Sequence, residues 1–468
     1  MMKSRDKESI VVESSCSSGT VRSHITVSRD LRKYFKYFEF WSRYDTEIFA
    51  NTSILNIPVL SIVLPLAWVT GANVYVRDLD RKFAQSMDVV HREYMMYPGL
   101  PYNSNLVADR FVDNDYGSNE TALLFSGGLD STHSLFQNLP LKPRLIMIFG
   151  TADIPISNIA FQETLEEEYS DFAEREGLKL NFVRTNMLEV LNMRRIDHLF
   201  GSLSRFQRPE RHVWRDHWLD YWIAMGYSLA HICQAAPLST TRFNQLIVAG
   251  AMLSGLSLDE LKTCKMKYDS EYVARKIAWA NLRVIQDGNI GREPKAIFLK
   301  QFSDSNRVKL RVCLDCHLLY SKRKLPHPTQ LNCNHCWKCL MSIAECALAG
   351  INPNECGFSV NRSTYDQIQN SLAGSRWEMI ALWWKPLQQA IREETELDVD
   401  DSREFFVWLS RVNIDSMLSR LPPYSSPLSS IYHTLPYPIA DILRRVIERI
   451  PVKLRCYADL ALARAPAG

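Results

Sequence analysis

The sequence has no marked excess of charge of either sign. Lysine and arginine total 55 and aspartate and glutamate 52, which leaves a formal net charge of +3 over 468 residues. Proteins that bind nucleic acid or a membrane surface through charge carry a clear basic excess. The composition therefore gives no electrostatic argument for a nucleic acid or a membrane as the partner.

The beginning of the sequence lacks the apolar stretch of a secretory signal. Residues 1–24 are polar, mixed in charge and rich in serine. We therefore expect a disordered tail over 1–24 and a cytoplasmic protein. The cysteines agree with a reducing compartment, because five of the 11 fall between Cys313 and Cys339. Such clustering indicates a metal site rather than disulfides.

One long stretch without charge covers residues 48–76. Its length would suit a transmembrane helix. Pro58 and Pro65 argue against that interpretation, and the many β-branched residues favour buried strands. We expect no membrane span, but an N-terminal accessory domain of mixed α/β type over 25–115.

The sequence also lacks the common phosphate-binding loop G-x-x-x-x-G-K-[ST]. Residues 126–131 read Ser-Gly-Gly-Leu-Asp-Ser instead, directly after an apolar run, and a segment with helical character follows. A strand, a glycine turn and a helix N-terminus together form an anion site, since Gly127 and Gly128 let a phosphate approach the backbone. Ser126 and Ser131 add hydroxyl donors. Asp130 would repel a phosphate unless a cation lay between them, which implies Mg²⁺.

Strands alternate with helices between residues 119 and 310. The pattern predicts strands over 121–125, 145–149, 178–184 and 246–250, and helices over 131–138, 158–176 and 214–235. Alternation of this kind predicts a parallel sheet with both faces covered and a ligand at the carboxyl ends of its strands. Polar or small residues follow all four strands, so we expect these ends to form one cleft. Asp153, after the second strand, is a candidate for binding metal or a substrate amine, with a turn-capping carboxylate as the alternative.

The cysteine cluster has the spacing of a zinc site. Cys313 and Cys316 are followed, after sixteen residues, by Cys333, Cys336 and Cys339. The last three can surround one metal ion, and Cys313 or Cys316 would supply the fourth ligand. We therefore expect a structural zinc knuckle over 311–350. A redox or sulfur-carrying cysteine pair and an iron–sulfur cluster are the alternatives. Residues 357–468 have helical spacing, are interrupted by prolines, and carry no chemical motif.

The Ser-Gly-Gly-Leu-Asp-Ser motif resembles the PP-loop of the ATP pyrophosphatases, or adenine nucleotide alpha hydrolases. The order of this motif, the parallel α/β pattern and the C…C-x-x-C-x-x-C cluster resembles 7-cyano-7-deazaguanine synthase and its relatives from antiviral gene clusters, over residues 119–350. The resemblance implies a HUP-type nucleotide domain over 119–310. It also implies an enzyme that uses ATP to adenylate a deazapurine carboxylate, releases pyrophosphate, and forms an amide and then a nitrile with ammonia. In the antiviral relatives the deazapurine can be joined to a protein.

The resemblance also assigns residues to ATP. The nucleotide and its Mg²⁺ would be bound by Ser126, Gly127, Gly128, Leu129, Asp130, Ser131, Thr132 and Asp153. Because the loop has no lysine, cations must come from elsewhere, and candidates follow the last strand: Lys265, Lys267, Arg275, Arg292 and Lys295. Arg292 and Lys295 lie in a turn-rich segment that suits a loop reaching into the cleft, so Ser126, Asp130, Arg292 and Lys295 are the predicted catalytic residues.

Two departures from the family favour an acceptor larger than ammonia, such as a protein. The gap before Cys333 is long, and long extensions flank the matching region. Two other functions stay open at this point. One is a tRNA-thiolating enzyme, which would also adenylate its substrate and would need a mobile sulfur on the spare cysteine. The other is a non-catalytic, nucleotide-binding scaffold that controls a partner.

Overall fold

The computed structural model describes residues 8–95, 99–101, 103–203, 221–240, 242–250, 273–288, 290–303, 308–314, 331–373, 378–393, 402–414, 416 and 435–449. The strands are β1 Ser9–Ser17, β2 Thr20–Val27, β3 Glu39–Tyr44, β4 Asn73–Asp80, β5 Leu106–Val112, β6 Thr121–Leu124, β7 Arg144–Phe149, β8 Leu180–Thr185, β9 Gln245–Ala249, β10 Ala278–Trp279 and β11 Leu282–Asp287. The helices are α1 Thr52–Leu55, α2 Ile57–Thr70, α3 Arg81–Tyr94, α4 Leu129–Gln137, α5 Ile159–Arg175, α6 Met193–Leu203, α7 Tyr227–Cys233, α8 Ala236–Ser239, α9 Arg292–Ser303, α10 Trp337–Leu348, α11 Arg362–Ala373, α12 Glu378–Glu393, α13 Arg403–Arg411 and α14 Tyr437–Arg449.

All the strands belong to one sheet of 11 strands, in the order β10-β11-β9-β6-β7-β8-β3-β2-β1-β4-β5. The strands β8, β7, β6, β9 and β11 are mutually parallel, and we call them the parallel half. The strands β3, β2, β1, β4 and β5 form the N-terminal half, which joins the other through antiparallel pairing of β3 with β8. The prediction of an α/β protein with a large, mostly parallel sheet is confirmed.

In the parallel half, the chain order reverses between β6 and β9. From β6 the chain adds β7 and then β8 on one side, and afterwards returns to add β9 and β11 on the other. The crossovers on the two sides lead away from the same point, which leaves a crevice at the carboxyl ends of β6 and β9. Ligands of open α/β sheets bind at such a crevice, and here it coincides with the Ser126–Ser131 turn.

Alternate residues of these strands face two different hydrophobic cores. Ala122 and Ile146 belong to one core, and Leu123 and Leu145 to the other. The parallel half is therefore covered on both faces, as its nearly continuous apolar strands predict. The second core contains residues from α4, α5, α9, α10 and the C-terminal helices, so all these elements lie on one face of the sheet.

The expected disordered tail is wrong for the part of it that the structure describes. Residues 9–24 form β1 and most of β2, which pair antiparallel along their full length. Ile10, Val12, Val21 and Ile25 point to the same face and are buried, because they recur at the two-residue period of a strand. Ser23 is buried on that face too, where its hydroxyl lies 2.7 Å from the Ser14 hydroxyl. The strands β3, β4 and β5 of the 25–115 region belong to the same sheet as the rest, and the accessory domain stays a prediction.

The uncharged 48–76 stretch forms the buried helix α2, where we predicted strands. Pro58 sits in the first helical turn, where a missing N–H costs nothing, and Gly71 ends the helix with a φ of +74°. All residues from Ile57 to Val69 are buried. A helix that is covered on every side has no amphipathic pattern, so the strand preference of its β-branched residues is the stronger indication in the sequence. Among the described residues, no helix is long and apolar enough to cross a bilayer.

The remaining predicted segments are described in part. The predicted helix 214–235 is described from residue 221 onward, as a π-helical turn Trp222–Gly226 followed by α7. The C-terminal region is helical where described, from α11 to α14. Lys265, Lys267 and Cys316 lie outside the described residues.

Candidate anion site and metal centre

The predicted turn lies at the carboxyl end of β6 and leads directly into α4. Gly127 has a φ of +73°, and a Cβ at this position would overlap the Tyr169 hydroxyl, so only glycine fits. Gly128 has extended backbone and caps the helix. The N–H groups of the first turn of α4 have no acceptor inside the helix, and the positive end of its dipole favours an anion.

The two serines of the motif shape the turn itself. The Ser131 hydroxyl donates to the Gly128 carbonyl at 3.2 Å, and the Ser126 N–H donates to Ser131 Oγ at 3.2 Å. Ser131 is buried while Ser126 is exposed, so Ser126 is the serine whose hydroxyl can reach a ligand. The side chains of Leu129 and Thr132 are buried. The Thr132 N–H donates to the Gly128 carbonyl, and the Thr132 hydroxyl is buried without a hydrogen-bond partner among the described residues, so the expected contact of Thr132 with a ligand stays a prediction.

Asp130, Arg292 and Lys295 meet at the turn. Arg292 Nη1 lies 3.0 Å from Asp130 Oδ2, and Lys295 Nζ lies 2.7 Å from Asp130 Oδ1. Lys295 also donates to the Gly250 carbonyl at the end of β9. Burial by itself would raise the pKa of Asp130, but the charges of Arg292 and Lys295 lower it to about 2. The cation that the sequence argument required beside Asp130 is thus supplied by the chain itself.

Arg292 and Lys295 lie in the first turn of α9, not in a loop as predicted. Both side chains are buried, with Lys295 fully enclosed and Arg292 5% exposed. The turn signal read from the sequence belongs to the residues just before the helix, where Gly288 has a φ of +72°. A helical start fixes the two cations more firmly than a loop would.

Asp153, at the end of β7, binds an arginine that the sequence did not single out. Its Oδ2 pairs with Arg311 Nη2, and its Oδ1 accepts from the Thr151 hydroxyl at 2.8 Å. Burial by itself would raise the pKa of Asp153, but the Arg311 guanidinium lowers it below its usual value. Asp153 is therefore charged and held in place on the same side of the turn as β7.

Arg311 also forms two hydrogen bonds with the turn. Its backbone N–H donates to the Gly127 carbonyl at 2.8 Å, and its Nε donates to the Ser126 carbonyl at 3.1 Å. Its remaining nitrogen, Nη1, is buried and has no partner among the described residues, and the same is true of the nearby Tyr169 hydroxyl. Burial raises the pKa of Tyr169, which keeps this hydroxyl protonated. Two buried donors without acceptors beside a phosphate-type turn fit a bound anion or an ordered water.

The helix α10 completes the surroundings of Asp130. Glu345 binds Arg292 Nε at 2.9 Å, and Ser342 accepts from Arg292 Nη2 at 2.8 Å. Glu345 and Arg292 are both nearly inaccessible to solvent, so the pair is a buried ion pair with its hydrogen bonds satisfied. Arg292 therefore bridges Glu345 to Asp130 and fixes the distance between α10 and the turn.

Four cysteines form a cluster that can bind a metal such as zinc, and three of them lie just before or within α10. Cys313, Cys333, Cys336 and Cys339 are all buried, and their sulfurs lie within 4.8 Å of one another. The Cys313–Cys336 and Cys333–Cys339 sulfur pairs are each 3.9 Å apart. A tetrahedral zinc site with bonds of about 2.3 Å places its sulfurs about 3.8 Å apart, so the donor set fits. Cys313, one of the two candidates for the fourth position, joins the cluster, and the other candidate, Cys316, lies outside the described residues.

Asn332 connects the metal-binding segment to the two residues on either side of Arg311. Its Nδ2 donates to the Leu310 carbonyl at 2.7 Å, and its Oδ1 accepts from the Val312 N–H at 2.9 Å. Arg311 lies between these two residues and two positions before Cys313. The metal cluster and the anion site are therefore connected through only a few covalent and hydrogen bonds.

The predicted end of the third strand does not join the cleft. Asn186, after β8, accepts from the Trp41 N–H at 2.8 Å and donates to the Glu39 carbonyl at 3.0 Å, so it binds β3 instead. The cleft is formed by the ends of β6, β7, β9 and β11. Around it lie four cationic side chains, Arg292, Lys295, Arg311 and Lys338, and three carboxylates, Asp130, Asp153 and Glu345. Asp287, the last residue of β11, adds a fourth carboxylate at this edge, so the cations and carboxylates balance before a ligand binds.

Sequence reasoning missed Arg311, Lys338, Glu345 and Tyr169. The only available signal was that Arg311 and Lys338 are the basic residues nearest to the cysteines. This signal becomes useful only once the cysteine cluster is known to pack against the turn.

Comparison of the chain with protein-family models, with curated proteins and with solved structures finds no match in any of the three.

Proposed function

We propose that this chain is an ATP-dependent ligase that adenylates a carboxylate, a 7-deazaguanine acid, and then transfers the acyl group to a nitrogen nucleophile, with a protein as one acceptor. The observation that carries the proposal is the Ser126–Ser131 turn at the switch point of a parallel sheet, surrounded by paired cations. Such a turn fits a pyrophosphate better than a neutral ligand, because the N–H groups at the start of α4 and the positive end of its helix dipole both favour an anion.

The proposed first step activates the carboxylate. A carboxylate oxygen of the substrate attacks the α-phosphorus of ATP, and the bond from that phosphorus to the α,β-bridging oxygen breaks with its electron pair. Pyrophosphate leaves, and an acyl-adenylate forms. In the second step an amine attacks the acyl carbon, AMP leaves with the electrons of the acyl–oxygen bond, and the nitrogen loses a proton.

The chain's own groups would act on the departing pyrophosphate. The N–H groups at the start of α4 and the Ser126 hydroxyl would bind its oxygens, and the buried Arg311 would hold the turn in the shape that presents them. Lys295 and Arg292 would offset the charge of Asp130 so that it does not repel the phosphates. Mg²⁺ would enter with the nucleotide, coordinated largely by its phosphates. Zinc on four thiolates has no open position and would be structural.

The test is AMP and pyrophosphate formation by the purified protein from ATP and Mg²⁺, with and without 7-carboxy-7-deazaguanine. We expect product that depends on the deazapurine, is lost in Asp130→Asn, and persists in Asp78→Asn, a matched change in the N-terminal half. A folded, metal-loaded protein that binds ATP and forms no AMP with this acid would contradict the proposal. AMP formed only with tRNA would favour thiolation, and ATP binding without AMP under any condition would favour the scaffold.

A further inference from the structure

Binding of a phosphate at the turn requires a cation that is free to move towards it, and most of the cations near the turn are already paired with carboxylates. Lys295 and Arg292 are bonded to Asp130, and Arg311 is bonded to Asp153. All three are at least 95% buried and held by two or more bonds. These side chains shape the site, but none of them can move to a phosphate without giving up a buried partner.

Lys338 differs from these three cations. Its side chain is half-buried, and among the described residues its ammonium forms no hydrogen bond or salt bridge. It interacts electrostatically with Asp130 and Asp153 and also with Arg292 and Arg311. It is thus close to both carboxylates of the cleft, while each carboxylate is already neutralised by an arginine or by a lysine.

The position of Lys338 on α10 directs it to the turn. Lys338, Ser342 and Glu345 are spaced by four and then three residues, which places them on one face of the helix. Ser342 and Glu345 on this face bind Arg292, which reaches Asp130. Lys338 is one turn nearer the start of α10 than Ser342, and Cys336 and Cys339 flank it in the metal cluster.

We propose that Lys338 is the phosphate-binding lysine of this site, supplied by the metal-binding segment in place of the lysine that the Ser126–Ser131 turn lacks. Its ligand is a phosphoryl oxygen of a nucleoside triphosphate or of inorganic pyrophosphate. Because Cys336 and Cys339 flank it, the four-cysteine cluster fixes where its ammonium lies, and anion binding requires the cluster to be intact. The choice of ATP as ligand rests on the proposed function.

The experiment is calorimetric titration of the metal-loaded full chain with Mg²⁺–ATP and, separately, with inorganic pyrophosphate. A charged hydrogen bond of ordinary strength predicts that Lys338→Met weakens binding by about tenfold to a hundredfold. Loss of affinity for both ligands assigns Lys338 to the β- and γ-phosphates, and loss for ATP alone assigns it to the α-phosphate. Lys338→Arg, which keeps the charge, should bind more tightly than Lys338→Met.

Two controls separate ligand binding from a structural role. Lys179→Met removes the same charge at an exposed pair with Glu120 and should bind like wild type. Metal content and melting temperature should be unchanged in Lys338→Met.

Equal affinity of Lys338→Met and wild type would overturn this inference and leave the ligase proposal standing. If Lys338→Met and Lys338→Arg weaken ligand binding equally, the inference is overturned too, because that result would indicate that Lys338 acts through packing. A wild-type protein that binds neither ligand would overturn both proposals, whereas ATP binding through Lys338 without AMP formation would overturn only adenylation.

Discussion

The two halves of the sheet differ in where their strands end. In the parallel half, β6, β7, β9 and β11 all end at one edge, where the Ser126–Ser131 turn, Asp153, Gly250 and Asp287 follow them. In the N-terminal half, β1, β2 and β3 pair antiparallel, so these successive strands end at opposite edges, while β1, β4 and β5 run parallel to one another. Parallel order gathers chemical groups at one place, and antiparallel order disperses them.

The halves also differ in how their faces are covered. Both faces of the parallel half pack against helices, whereas in β1, β2 and the first part of β4 buried residues alternate with more exposed ones. Val11 and Tyr75, which are register partners on the other face, are exposed. The N-terminal half thus needs only one core, formed largely around α2. It supports β8 from the side, and none of its described residues contributes a charged group to the site. Four changes test this division between a site-bearing half and a supporting half.

The largest effect should follow loss of the metal cluster. Cys339→Ala removes one of four buried thiols, and metal binding of this type contributes about 10 kcal/mol to the structure it holds. We expect metal loss, and increased hydrogen exchange in residues 331–348 and 126–137, with β1 and β2 unchanged. Mass spectrometry of deuterated peptides measures this difference. Cys346→Ala, a buried cysteine on the same helix outside the cluster, should retain the metal; equal exchange in both halves after metal loss would contradict the division.

The second change compares the same substitution in both halves. Asp130→Asn leaves Arg292 and Lys295 without their shared carboxylate in a buried setting, which costs about 3–5 kcal/mol. Asp78→Asn breaks a pair with Arg110, whose side chain is 70% exposed, and costs about 1 kcal/mol or less. Thermal unfolding of both variants measures the difference. Similar shifts in melting temperature would show that the charge network at the turn is no more stabilising than a surface pair.

Acid should remove the contribution of Asp130. Its pKa is about 2 in the folded protein, below the value of about 3.9 for an unfolded aspartate. Because the pKa of Asp130 is lower in the folded protein than in the unfolded chain, ionised Asp130 stabilises the fold at pH values above its unfolded pKa. This stabilisation falls as the pH drops from about 4 towards 2. The difference in melting temperature between wild type and Asp130→Asn should therefore be largest at neutral pH and shrink below pH 4. A difference that grows in acid would exclude the ionised form.

The third change tests the turn through its backbone. Gly127→Ala forces a left-handed φ on alanine and places its Cβ on the Tyr169 hydroxyl, so we expect loss of ATP affinity by more than about tenfold and destabilisation of about 1–3 kcal/mol. Gly177→Ala is the matched control, since Gly177 has a φ of +64° and nothing within 4 Å of the added carbon. It should cost stability without changing the affinity. Calorimetry with ATP and thermal unfolding separate the two effects.

The sequence predicted the features that depend on local patterns. The glycine turn, the alternating strands and helices, and the cysteine spacing are each encoded within a few neighbouring residues. Arg292 and Lys295 were found because the motif lacks a lysine and a cation had to come from elsewhere. Residues 9–24 were misjudged although Ile10, Val12 and Val21 follow the two-residue period of a strand, because the serine content was given more weight than the period.

What the sequence could not show depends on packing between distant segments. Arg311 follows Asp153 by more than 150 residues and touches it only because Cys313 and Asn332 hold its segment against the turn. The buried helix α2 was taken for strands because it is covered on all sides and so lacks a polar face. In both cases the deciding partner lies elsewhere in the chain, where neither periodicity nor local propensity can indicate it.

The smallest effect should come from the seam between the halves, which is the antiparallel pairing of β3 with β8. Asn186→Ala removes the two hydrogen bonds that join the end of β8 to Trp41 and Glu39, in a side chain that is 5% exposed. Leaving their backbone partners unsatisfied costs about 1–3 kcal/mol. Because Asn186 points towards β3 and not into the cleft, we expect a lower melting temperature with unchanged affinity for ATP and pyrophosphate. A change in affinity without a change in stability would instead place the end of β8 within the site, and would extend the site across the seam into the supporting half.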